Sequence, residues 1–146
     1  MTKGLRVLFL AFLSVGVISC GGGGGDSGGG GGEDVTPTVS FSASVQPIFT
    51  TNCVSCHAPG GVGAVLDLRS GLSYANLVGV PAAVTGTPPS GTLVVAGDHS
   101  SSVLYQRITG DGLAAVEDIM PQGLPQLSST DKDTIENWID QGAANN

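Results

Sequence analysis

Apolar residues first appear as one unbroken run, Val7 to Val17, then vanish through a stretch of nearly pure glycine, and return in spaced patterns from residue 41 onward. Val45, Ile48 and Phe49 recur at three and four, which predicts a first helix capped by Ser42 or Ser44, with Pro47 near its first turn. Val103, Leu104 and Ile108 predict another, opening at Gly97-Asp98 with Asp98 or Ser100 as cap and stopped by Gly110 and Gly112. Ile135, Trp138 and Ile139 form the stripe of a last helix starting within residues 128–130 and ending at Gly142. Asp131 and Asp133 fall in its first turn, where negative charge complements the helix dipole. Between these elements Ser70–Val78 reads as a short helix with Leu72, Tyr74 and Leu77 partly buried. Residues 64–68 and 92–96 read as brief extended runs. Val80–Gly91, with three prolines and two glycines, reads as a surface loop. The fold class expected is all-α, a small helical domain with long loops.

The first apolar run is eleven residues behind Lys3 and Arg6, too short for the roughly 20 that span a bilayer, so residues 1–19 read as a signal peptide. Its end, Val17-Ile18-Ser19-Cys20, resembles the lipobox of bacterial lipoproteins. That resemblance implies a lipid on Cys20, which becomes the N-terminus after cleavage. The following Gly21 is not acidic, which points to the outer rather than the inner membrane. Ordinary secretory cleavage nearby is the alternative. Residues 20–40 then form a lipid-anchored linker whose glycines cannot bury enough side chain to offset ordering. About twenty such residues reach roughly 25 Å. The domain expected to fold is 41–144, exported and tethered on the periplasmic side.

Charge narrows the partners. The chain carries a formal −7, and removing Lys3 and Arg6 leaves three basic residues against twelve acidic ones, a net of −9. Nucleic acid is not an expected partner. An acidic surface favours encounter with a basic patch on another protein, at a rate that falls with salt. Only Phe41, Phe49, Tyr74, Tyr105 and Trp138 supply aromatic area beyond the leader. That is thin for a core of about a hundred residues, and a buried apolar cofactor would make up the shortfall.

Cys53-Val54-Ser55-Cys56-His57 has the C-x-x-C-H spacing used to attach a c-type haem. On a helix these positions share one face, so both sulfurs and the ring can meet one flat molecule. Cys53 and Cys56 would form the thioethers and His57 would bind iron as proximal ligand, its other nitrogen held by an acceptor such as the Pro59 carbonyl. Cysteine counting agrees: one lipidated and two bonded to haem leave no odd thiol. The rivals are zinc, which lacks a second ligand pair, a thioredoxin-like dithiol, which lacks the surrounding βαβ pattern, and a structural Cys53–Cys56 disulfide. For the distal side Met120, the sole methionine beyond the leader and followed by Pro121, is the candidate. His99 or an open site is the alternative.

The order PIFTTNCVSCH, GDHSSSVLYQRITG, MPQG and LSSTDKDTIENWIDQGA resembles the small monohaem cytochrome c domains of bacterial exported proteins, over roughly residues 41 to 144. The resemblance implies N- and C-terminal helices packed together, one covalent haem c in the crevice, and His57/Met120 ligation. It also implies an electron carrier, not an enzyme, meeting redox partner proteins through transient contacts below about 1,200 Å². A haem-based gas sensor with a displaceable Met120 is the alternative function, and a surface module with a Cys53–Cys56 disulfide a third. Arg69, Arg107, Tyr74, Tyr105 and Trp138 are candidate donors to the haem propionates.

Overall fold

The computed structural model describes residues 38–82, 91–113 and 118–146, all within a folded unit spanning Thr36–Asn146. The expected signal peptide 1–19, the Cys20 lipid site and the linker up to residue 37 lie outside the described residues, as does most of the proline-rich loop. Among the described residues there is no β-strand, only isolated bridges, and no helix long and apolar enough to cross a membrane. The all-α class holds.

The first helix begins earlier than its pattern suggested. Ser40, not Ser42 or Ser44, is the cap: its side chain accepts from the Ala43 N–H at 3.2 Å. A π-helical turn over Phe41–Val45 follows and passes directly into α1, Gln46–Asn52, with Pro47, which has no amide to donate, at the junction of the two. The wider π turn leaves Phe41, Val45, Ile48 and Phe49 all buried. Helix α2, Ser73–Leu77, is shorter than Ser70–Val78, because Gly71 at φ +81° and the extended Val78 bound it; Leu72 stays exposed while Leu77 and Ser73 go inside. Ser73 is satisfied there by a hydrogen bond to Gln46, whose amide in turn donates to the Leu68 carbonyl.

Helix α3, Val103–Thr109, starts at Ser102 rather than at Asp98 or Ser100. Asp98 instead caps the preceding turn, accepting from the Ser101 N–H and the Ser100 hydroxyl, which together hold its carboxyl down to about 2. Gly110, at φ +92°, ends the helix in the left-handed region where a Cβ is strained. Helix α4, Ser129–Asp140, opens on Ser128, whose hydroxyl accepts from the Asp131 N–H. Ile135, Trp138 and Ile139 are buried as the stripe required.

The aromatics are not spread through the core. Phe41, Phe49, Tyr74 and Trp138 form one cluster, with Phe41 5.0 Å from Trp138 and 5.3 Å from Tyr74 between ring centroids. It locks the π turn onto α4, so the two ends of the domain pack against each other. The chain end joins in, Asn146 accepting from the Phe41 and Ser42 amides, which carries the domain past residue 144. Residues 64–68 are turns up to Leu66, not an extended run, because the loop must fold back under the Cys-His segment. Residues 92–95 do run extended, bridging Val78, Pro81 and Ser102.

Candidate functional site

Cys53 is the C-cap of α1, and from it the chain coils on through Cys56 and His57, with the Cys56 and His57 amides both donating to the Cys53 carbonyl. The following loop then doubles back. The Gly63 N–H donates to the Cys56 carbonyl at 3.0 Å, and the Leu68 N–H to the His57 carbonyl at 2.9 Å. Two glycines make this path feasible. A Cβ at Gly61 would run into the Cys56 carbonyl, and one at Gly63 would sit 2.7 Å from both Nδ1 and Cε1 of His57.

That close approach has a chemical result. His57 Nδ1 lies 3.2 Å from the Gly63 carbonyl oxygen. A carbonyl only accepts, so Nδ1 carries the proton, and the lone pair of the neutral ring is on Nε2. The acceptor is therefore Gly63 and not the Pro59 carbonyl. Sequence spacing has no means of telling which carbonyl the fold brings to the ring.

Both cysteines are free thiols and partly buried. Burial, helped by the neighbouring Cys56, pushes the Cys53 thiol up to about 11, so it stays protonated and slow to oxidise at neutral pH. The Ser55 hydroxyl lies 3.9 Å from the Cys56 sulfur.

Cys53, Cys56, His57 and Met120 all line one cavity of about 740 Å³. Its walls are aliphatic, built from Leu66, Leu68, Leu77, Leu93, Val103, Leu104, Ile108 and Leu127. Among the described residues no Phe, Tyr or Trp lines it, and the volume falls in the ~300–1,000 Å³ range of small-molecule and cofactor sites. Among the described residues, Asp67 and Arg107 are the charged ones that line it. Two thiols, one imidazole lone pair and one thioether are soft and borderline donors, suited to a transition-metal centre rather than to Mg²⁺ or Ca²⁺.

His99 is not part of this site. It sits beside α4, its Nδ1 2.8 Å from Asp140, its Nε2 4.0 Å from Glu136 and its ring 4.6 Å from that of Tyr105. Of the polar candidates read from the sequence, only Arg107 reaches the cavity. Arg69 is paired with Asp67 at 2.7 Å. The Tyr74 hydroxyl donates to the Ala143 carbonyl, the Tyr105 hydroxyl to Glu136, and Trp138 Nε1 to the Ala144 carbonyl. Comparison with protein-family models, with curated proteins and with solved structures gives no match to this chain.

Proposed function

We propose that the domain is a c-type cytochrome, a lipid-tethered electron carrier holding one covalent haem in the aliphatic cavity. The observation that carries the reading is the Nδ1–Gly63 hydrogen bond of His57. It fixes the tautomer and leaves Nε2 for a metal, on a cavity shared with both thiols of the C-x-x-C-H stretch and the Met120 thioether. The donor set and the apolar lining fit a haem. Bound there, it supplies one-electron chemistry at its iron.

The chain's own residues then divide the work. Cys53 and Cys56 supply the sulfurs of the two thioether links, and the first, held as a thiol, is kept reduced until it is used. His57 ligates through Nε2 while Gly63 keeps its ring from turning. Met120, on the same cavity, would supply a thioether ligand to the iron, a ligand set that would favour electron transfer over gas binding. Leu68, Leu77, Ile108 and Leu127 exclude water. Val62 and Val65 stand exposed on the cavity rim, an uncharged contact area for a redox partner met transiently, while the acidic remainder of the surface steers the encounter. The sequence of residues 1–20 supports export and a lipid on Cys20.

Met120→Ala tests the ligand set. Haem should remain attached and the sulfur-to-iron charge-transfer band of the oxidised protein should vanish. A band that survives the substitution removes Met120 from the site.

A further inference from the structure

The segment that carries Met120 is irregular: between α3 and α4 no helix is formed among the described residues beyond a single short turn. Something must hold the thioether in place, and three contacts converge on one residue of α3. The Met120 N–H donates to the Arg107 carbonyl at 2.7 Å. The Arg107 guanidinium donates back to the Asp118 carbonyl at 3.2 Å and lies 3.8 Å from the Asp118 carboxylate. The Arg107 carbonyl is one of the last four of α3, which no intrahelical amide reaches, so Met120 caps the helix end. Between the two ties, Ile119 lies so close over Gly110 that a Cβ there would approach its Cδ1 to 2.8 Å.

We infer that Arg107 is the positioning residue for Met120, resting on the reading of Met120 as the distal haem ligand. Its side chain is only 14 % exposed, and Asp118 is 22 % exposed. A charged donor to a partly buried carbonyl is about twice as strong as a neutral one, and guanidinium is charged at every working pH. It also holds the Asp118 carboxylate against the protein. With the guanidinium removed, the Asp118 carbonyl loses its donor and the carboxylate its counter-charge, which loosens the segment that carries Met120. Arg107 thus sets how much of the time the sixth position is open, and so whether the site behaves as a closed carrier or admits a small gas.

The test uses the full, haem-loaded chain. Carbon monoxide association with the reduced protein and the sulfur-to-iron band of the oxidised protein are measured for wild type, Arg107→Gln, Arg107→Lys and Asp118→Asn. Arg107→Gln should bind carbon monoxide about tenfold faster and lose much of the band, because the open population grows by the weight of one charged hydrogen bond. Arg107→Lys should recover most of the loss. Asp118→Asn, which keeps both carbonyl bonds, should raise the rate only about threefold and serves if the glutamine variant does not fold. A purely structural role would lower the melting temperature and leave band and rate untouched, and that result overturns the inference. Wild type without covalent haem would instead overturn the proposed function beneath it.

Discussion

Gly63→Ala probes the link between loop geometry and ligation. The added Cβ would lie 2.7 Å from Nδ1 and Cε1 of His57, where ordinary contact begins near 3.4 Å, so the ring must shift by about 0.7 Å. The Nδ1–Gly63 bond is already 3.2 Å long, and a displaced ring loses it. Loss of such an outer partner typically weakens metal affinity by about 10–100-fold, or roughly 1.4–2.7 kcal/mol. Acid releases an axial histidine by protonating it, so each tenfold loss in iron affinity raises the release midpoint by about one pH unit. The haem-loaded variant should therefore lose its proximal ligand at a pH about 1–2 units higher than wild type, read from the Soret absorbance during acid titration. Gly60→Ala is the control. It imposes a left-handed φ of +87° on a side chain but has open space around it, so it strains the loop without touching the ring. A midpoint for Gly63→Ala indistinguishable from that of Gly60→Ala would refute the reasoning.

Two other outcomes follow from the same structure and sequence. The His99 pKa is raised above 6.5, chiefly by its hydrogen bond to Asp140, with the charges of Asp140, Glu136 and Asp98 adding to it. That contribution to stability is complete below pH 6.5 and is lost as pH rises through the raised folded value. The melting-temperature advantage of wild type over His99→Gln should accordingly be largest in mild acid and shrink toward alkaline pH, whereas a constant advantage over about pH 5 to 9 would show that the pair does not titrate with folding. Cys20→Ser should shift the protein from the membrane fraction to the soluble periplasmic extract and abolish labelling by a radioactive fatty acid; unchanged membrane association would remove the lipid anchor from the account.

What could be read from the chain alone was governed by range. Helix α4 is legible because Ser128, the early aspartates, the Ile135/Trp138/Ile139 stripe and Gly142 all act within a few residues of one another. The C-x-x-C-H spacing is equally local, and the structure sets its three donors around one cavity with Met120. The start of the first helix was misplaced, since Ser40, Ser42 and Ser44 are all capable caps and the choice is decided by how Phe41 seats against Trp138 nearly a hundred residues away. The acceptor for His57 is hidden from the sequence for a related reason: Pro59 is nearer in the chain and only a candidate, and the turn at residues 61–63 brings the Gly63 carbonyl to the ring. Arg107 was one name among five, and only the fold separates it from Arg69, whose partner Asp67 is two residues away.

The aromatic shortage also takes a different form in three dimensions. Four rings complete a cluster that joins the first described helix to the last, and the core continues from it into the aliphatic residues behind the cavity. The deficit is local to the aliphatic cavity, on the side where the thiols and the imidazole stand.

Whether Cys53 and Cys56 carry a covalent haem ligated by His57 and Met120 is decided by absorbance of the purified, export-matured protein, oxidised and reduced, before and after denaturation. The protein should show c-type bands that stay with the polypeptide when it is unfolded, and a sulfur-to-iron band in the folded oxidised form only. A matured chain that shows no haem absorbance, or that releases its haem on unfolding, would contradict the covalent attachment.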